Sequence, residues 1–327
     1  MNRSYFLMSS SSGSTILPSL CLLIMFAFAH VHMYPSTVIS QPPQGLDYYY
    51  YDKSCPRLQM MVGFNVWAAV KNDTRMAASL LRLHFHDCIV NGCDASVLLD
   101  DTQNMKGEKN ALPNRNSIRG FEVIDSIKAD VEKFCPSTVS CADILSLAAR
   151  EAVSLAGGPF WQVPLGRRDA TTASEKAAVD QIPAPIEPLQ NIFKKFTSKG
   201  LDIKDVVVLS GTLRQTGPNT GFLLATKLAI LVSKKDASNS TLAPLDSTSN
   251  DEFDNMYFTG LLNNNGLLES DQALLRDQRT SGLVNSYSAY PFLFSNDFAA
   301  SMVKMGNLGV LTGQDGQIRK KCGSVNH

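Results

Sequence analysis

The sequence lacks a net charge: 30 lysines and arginines balance 30 aspartates and glutamates in 327 residues. With no excess of either sign, nothing draws the chain to nucleic acid or to an anionic membrane surface, and neither is expected as a partner. Long apolar runs are missing too. The run Ile16 to Ala29 (ILPSLCLLIMFAFA) contains a proline and falls short of the roughly 20 apolar residues a spanning helix needs. There is no internal repeat and no low-complexity linker, and a hydrophobic content of 44% argues against a disordered chain. Histidine is scarce: five in all, with none between His86 and His327.

What is present begins with a leader. Arg3 gives a positive start, and the short apolar run ends in small residues, the pattern of a secretory signal peptide. Cleavage is expected after Ala29 or after Ser40, the latter leaving Gln41 as the mature N-terminus of a secreted domain spanning 41–327. Of the seven cysteines, Cys21 leaves with the leader, and Cys55, Cys88, Cys93, Cys135, Cys141 and Cys322 remain. An even number in a secreted chain suggests three disulfides, with fifteen connectivities open. Asn72-Asp73-Thr74 and Asn239-Ser240-Thr241 are glycosylation sequons, which fits secretion.

From Asn72 onward the dominant period is helical, so the fold class is expected to be mainly α. Met76, Ala77, Leu80, Leu81 and Leu83 wrap most of the way round a helix from Thr74 to Cys88, as in a buried one. Ile124, Ile127, Val131 and Phe134 mark one face of a second. A third opens on Ser140-Cys141-Ala142-Asp143, which resembles a capping box, and stops at Gly157-Gly158-Pro159. Leu189, Ile192, Phe193 and Phe196 stripe a fourth, stopped by Gly200, and Asp202 caps a fifth that runs to Ser210. Later helices are expected over Phe253–Leu262, Ser270–Leu275 and Ser295–Met305. Long loops, Asn91 to Asn116 and Asp169 to Pro188, separate these elements; loops of that length are usually functional or tied down. Thr212 to Lys235 (TLRQTGPNTGFLLATKLAILVSKK) has a Gly/Pro-rich start and then an apolar run without clear capping.

Arg82, Phe85 and His86 stand at i, i+3 and i+4, so a helix presents them on one face with His84 pointing away. Such a pair is either a satisfied core contact or a reactive one. A neutral imidazole to take a proton, beside a fixed cation to stabilise negative charge, is what peroxide heterolysis needs. A zinc site at His84, His86 and Asp87 is disfavoured, because residues two apart project from opposite sides of a helix. Just beyond, Asp87, Val90, Gly92, Asp94 and Ser96 supply oxygens along a tight loop that Cys88 and Cys93 could pinch closed. They form either a hard-ligand shell for calcium or a solvated acidic turn.

Several long segments resemble one family in order. They are RLHFHDCIVNGCDASVLLDD (Arg82–Asp101), RGFEVID (Arg119–Asp125), CPSTVSCADILSLAAR (Cys135–Arg150), GGPFWQVPLGRRD (Gly157–Asp169), FDN (Phe253–Asn255) and MGNLGVLTGQDGQIRKKC (Met305–Cys322). They are similar to the secretory plant, or class III, haem peroxidases. The resemblance implies a two-lobed α-helical fold with few short strands, haem b between a distal lobe of roughly 41–185 and a proximal lobe of roughly 186–327, and one calcium in each. It implies His86 as acid/base, Arg82 as the stabiliser of the departing oxygen, Phe85 as a screen for the haem edge, and Asn114 orienting His86 with Glu108 nearby. Pro183 matches the proline whose carbonyl meets phenolic substrates. The implied disulfides are Cys55–Cys135, Cys88–Cys93 and Cys141–Cys322. Asp87, Val90, Gly92, Asp94 and Ser96 would hold the distal calcium, with Glu108 acting indirectly. Asp246, Ser249, Glu252 and Asp254 would hold the proximal one, with Thr212 as a further candidate. Hydrogen peroxide and small phenolic donors are the implied partners of a monomeric chain.

One stretch departs from the pattern. After Leu209-Ser210-Gly211 the family carries a Gly-Ala-His-Thr-type motif whose histidine binds the haem iron; this chain reads Thr212-Leu213-Arg214. The following segment is too short and lacks the family's fourth cysteine pair. Asp271 matches the carboxylate that partners the missing histidine, and without it an orphaned, costly buried charge is expected. Two functions follow: a haem peroxidase, or an impaired peroxidase homologue acting as a secreted calcium-binding scaffold.

Overall fold

Helix formers and well-placed caps give eleven α-helices among the residues described, which are 42, 44–211, 252–266 and 268–326 of a computed structural model. In chain order they are α1 (Leu58–Asn72), α2 (Met76–Val90), α3 (Phe121–Phe134), α4 (Cys141–Leu155), α5 (Glu175–Gln181), α6 (Leu189–Thr197), α7 (Ile203–Ser210), α8 (Met256–Leu262), α9 (Glu269–Arg276), α10 (Gln278–Ala289) and α11 (Pro291–Gly306). Strand pairing among the described residues is limited to isolated bridges, such as Asp47 with Leu165 and Asp169 with Gln317. The fold is mainly α, as the periodicity requires. No described helix is long and apolar enough to cross a membrane.

Two of the caps are the ones the sequence advertises. Asp202 and Asp205 exchange backbone N–H bonds of 2.7 and 3.1 Å at the start of α7, a reciprocal box worth about 1 kcal/mol. At α4 the box is only half formed: the Ser140 hydroxyl accepts the Asp143 N–H at 3.1 Å. The Asp143 carboxylate is engaged elsewhere, accepting from the Tyr51 hydroxyl (2.8 Å), the Gly166 N–H (2.7 Å) and Arg167 (2.8 Å). Arg167 continues to the Gly306 carbonyl at the end of α11, so three of the segments that carried the family resemblance meet in one buried network.

Helix α2 is buried on nearly every side, with 13 of its 15 residues in the interior, and packs against α4. Each fully buried Leu or Ile contributes roughly 1.5–3 kcal/mol, so this helix is a rigid platform for the polar groups it carries. Three helices escape the sequence pattern. In α1, Met60, Phe64 and Trp67 are exposed while Leu58, Met61, Val62 and Val66 are buried, which blurs the period. Helix α5 is a short insertion in the long Asp169–Pro188 loop, started by the Ser174 hydroxyl accepting the Ala177 N–H at 3.1 Å. Helix α10 is mostly polar and contains Gly282. In α3, Ile124, Ile127 and Val131 are buried, but Phe134, at the helix end, is exposed.

Three disulfides join Cys55 to Cys135, Cys88 to Cys93 and Cys141 to Cys322. The last spans 181 residues and fixes the C-terminal segment to the start of α4. The paired change Cys141→Ser with Cys322→Ser is expected to cost about 2–5 kcal/mol in urea unfolding. An unchanged midpoint would contradict that role.

Candidate active site

Arg82 and His86 lie one turn apart on α2 and touch: Arg82 Nε donates to His86 Nε2 at 3.2 Å. The guanidinium is held from behind by the Ser117 carbonyl (2.8 Å), the Pro113 carbonyl (3.1 Å) and the Ser117 hydroxyl (3.0 Å). On the other side of the imidazole, His86 Nδ1 meets Asn114 Oδ1 at 2.5 Å. Asn114 is itself fixed by donating its Nδ2 to the Glu108 carbonyl at 2.9 Å. An amide oxygen only accepts, so Nδ1 carries the proton and Nε2 presents its lone pair beside the guanidinium. Burial, reinforced by the Arg82 charge and opposed by the Asn114 bond, pushes the His86 pKa down to about 3. At neutral pH the imidazole is therefore a neutral base. Phe85 packs edge-on to His86 (centroids 5.8 Å apart) and against Phe196 (5.9 Å), which adds an apolar wall from α6 that sequence reasoning missed.

The loop after α2 brings its acids together. Asp87 accepts the Ala95 and Val97 N–H groups at 3.0 and 3.4 Å, and Asp94 accepts the Ser96 N–H at 2.9 Å. Asn91 Nδ2 reaches Glu108 at 3.5 Å. Burial, with each acid's negative neighbours, pushes Asp87 well above the carboxylate range, and burial with the Asp94 charge pushes Glu108 up to about 8. Asp94 is raised as well, mainly by burial. Ser96 Oγ and Glu108 Oε2 are buried without a hydrogen-bond partner among the described residues. Repelling buried carboxylates beside orphaned oxygens are the chemistry of a hard-cation site, and a solvated turn does not fit residues this buried. The Val90 carbonyl accepts from Lys199 Nζ at 2.5 Å, a contact no local motif signals.

The remaining candidates are less assembled. Pro183 is half-buried in the loop after α5, and no described hydrogen bond links it to the Arg82–His86 pair. Thr212, Leu213, Asp246 and Ser249 lie outside the described residues. Glu252 is exposed, and Asp254 accepts the Met256 N–H at 2.9 Å in a local turn. Asp271 corrects the expectation of an orphan. Fully buried, it accepts the Tyr257 hydroxyl at 3.0 Å and, as the third residue of α9, the Leu268 N–H at 2.9 Å. The aspartate finds donors in its own neighbourhood without an imidazole. His84 does point away from His86, towards Cys88 (Nδ1 to Sγ 3.6 Å). The ligand atoms of His84, Cys88 and Cys93 lie within 4.8 Å of one another, but both sulfurs are bonded to each other and offer no thiolate.

A rigid base beside a fixed cation adjoins a buried acidic loop, whose flanking arginine, Arg319, donates to the Ala95 carbonyl at 2.6 Å. A family model described as peroxidase matches residues 62–290. Peroxidase 10 of Arabidopsis thaliana is 57% identical over 300 residues, covering 85% of this chain and 86% of the relative. The chain belongs to the plant class III peroxidase family. Peroxidase 4 of Vitis vinifera is 44% identical over 334 residues (98% of this chain, 100% of the relative). The lignin-forming anionic peroxidase of Nicotiana sylvestris is 47% identical over 291 (85% and 90%). Class III membership implies haem and calcium. The acidic loop fits a calcium ion, and the Arg82–His86 pair fits the peroxide side of a haem. The other side does not fit: His84 and His86 are placed as above, and the remaining histidines are His30, His32 and His327, at the two ends of the chain.

Proposed function

We propose that this chain is a secreted member of the class whose reaction is hydrogen-peroxide-dependent oxidation of small phenols, with the peroxide-handling half built and the iron-holding half lacking its imidazole. The observation that carries the first part is the Arg82–His86–Asn114 array. His86 Nε2 accepts a proton from one peroxide oxygen and returns it to the other, while Arg82 stabilises negative charge on the departing oxygen. Asn114 keeps the reactive nitrogen unprotonated, and Phe85 with Phe196 walls off water. Haem, when bound, supplies the redox chemistry that draws on phenolic donors one electron at a time. Phenols are favoured by the Nicotiana relative, a lignin-forming peroxidase, and by Pro183, at the family's donor-contact position. Asp87, Val90, Gly92, Asp94 and Ser96, with Glu108 behind, would hold a calcium ion at the C-terminal end of α2, and Glu252 and Asp254 would contribute to a second site. The leader of residues 1–40 supports secretion, and the chain acts as a monomer.

The second reading, an impaired peroxidase homologue serving as a calcium-binding scaffold, is favoured by the absence of any histidine between His86 and His327. Haem titration of the purified chain separates the two. The expected result is a weak Soret band without a stoichiometric end point; a sharp, saturable band would overturn the impaired reading.

A further inference from the structure

Tyr48-Tyr49-Tyr50-Tyr51 takes no part in the peroxide site, yet it gathers four of the nine tyrosines of the chain into one turn. Its members have divided roles. Tyr51 is buried, with its hydroxyl on Asp143, as Tyr257 is on Asp271 and Tyr287 on Asp297. Tyr49 and Tyr50 are 67% and 52% exposed, and the other exposed tyrosine among the described residues is Tyr290 at 64%. The turn that displays the pair is rigid. Asp47 and Leu165 exchange backbone bonds of 2.8 and 2.9 Å, the Tyr49 N–H donates to Asp47 Oδ1 at 2.7 Å, and the Asp52 N–H donates to the Tyr49 carbonyl at 3.0 Å. Cys55, bridged to Cys135, closes the segment by donating to the Tyr51 carbonyl at 2.8 Å. The Tyr50 ring lies across Gly166, where a Cβ would stand 2.9 Å from it, and edge-on to Tyr51 with centroids 4.9 Å apart. Two successive phenols are thus held out to solvent on a fixed aromatic surface, suited to stacking a planar phenol.

We propose that Tyr49 and Tyr50 are a covalent coupling site, through which the chain is joined to small phenolic radicals. This rests on the phenol-oxidising reading above, because an exposed tyrosine is itself a member of that substrate class. One hydrogen atom leaves the tyrosine hydroxyl and one leaves the hydroxyl of the small phenol. The two radicals join by a bond between ring carbons ortho to oxygen, and tautomerisation restores both aromatic rings. The two electrons and two protons reduce one hydrogen peroxide to two waters. The carboxylate-bound phenols of Tyr51, Tyr257 and Tyr287 are shielded from such coupling by burial or close packing. A chain tagged at Tyr49 or Tyr50 becomes anchored to whatever phenolic material surrounds it.

The test treats the full chain with biotin-tyramide, hydrogen peroxide and a separate haem-loaded peroxidase as the radical source, and maps the label by peptide mass spectrometry. The expected result is more label on the Tyr49–Tyr50 peptide than on the Tyr290 peptide. The greater part of the total should disappear in the chain carrying Tyr49→Phe and Tyr50→Phe, with its melting temperature unchanged. Equal or greater labelling at Tyr290, or undiminished labelling of the double variant, would overturn the proposal. Because the radicals come from outside, the outcome does not depend on this chain holding haem. Omitting the added peroxidase tests that separately: label with it and none without supports the coupling site and counts against unaided catalysis.

Discussion

Replacing residues 212–235 with the family's Gly-Ala-His-Thr-bearing stretch is expected to give a chain that binds haem and turns over peroxide, and in which His86→Ala lowers that turnover by about 10²–10⁴-fold. The size follows from what His86 does. Its Nε2 lone pair faces the Arg82 guanidinium at 3.2 Å, and burial with the Arg82 charge keeps it neutral, with a pKa pushed down to about 3. Alanine leaves the cation in place but removes the group that carries the proton. A lone Leu213→His in the unrepaired chain is expected to recover little, since the length and the cysteine pair of the family's segment are missing as well. Asp271 would also have to accept the new imidazole alongside its Tyr257 and Leu268 donors. Turnover of a phenolic donor per bound haem is the measurement; a repaired chain indifferent to His86→Ala would contradict the assignment of the base.

Calcium is expected to raise the melting temperature by an amount that grows steadily from pH 4.5 to pH 8. Burial and the Asp94 charge lift Glu108 from 4.5 to about 8, and Asp87 and Asp94 are raised as well. In that window the metal-free folded chain holds protons that the unfolded chain has released, so its stability falls as pH rises. Calcium takes the place of those protons, so its stabilisation is greatest near pH 8 and smallest near pH 4.5. At 1.36 kcal/mol per pKa unit, the Glu108 contribution is on the order of 5 kcal/mol at its upper limit. His84 and His86 act in the opposite sense on absolute stability. Both are pushed from 6.5 to about 3 by burial joined by a nearby arginine, and stability is lost as pH falls through that range. Neither imidazole is among the proposed calcium ligands, so the difference between calcium and chelator reports chiefly on the acidic loop. Asp94→Ala should shrink that difference while leaving the chelated chain unchanged or more stable. Equal loss in both conditions would mean that Asp94 serves packing alone.

Much of this site is legible in the sequence because its key contacts are local. Arg82 and His86 are one helical turn apart, and Asp87, Asp94 and Ser96 share one short loop, so spacing alone brings them within reach. The caps at Ser140 and Asp202 are local for the same reason. What the sequence concealed is what distant segments contribute. Phe196 reaches Phe85 across 111 positions and Lys199 reaches the Val90 carbonyl across 109, and neither has a pattern of its own. Ser117 and Pro113 grip Arg82 mainly through backbone carbonyls, which no side-chain motif can announce. Tyr257 was hidden differently: its partner Asp271 was recognised only through a family role, and that role presupposed a histidine this chain does not have. The amphipathic rule failed for α1 because apolar residues occupy its exposed face as well as its buried one.

The proposed function pairs a complete acid/base couple, Arg82 and His86, with a haem site that lacks its axial imidazole. The most direct test is turnover of a phenolic donor with hydrogen peroxide by the unmodified chain, normalised to bound haem. At most trace activity is expected, because Arg82 and His86 act on peroxide that something else must first hold. Robust turnover that disappears in His86→Ala would contradict it and show that another residue supplies the ligand.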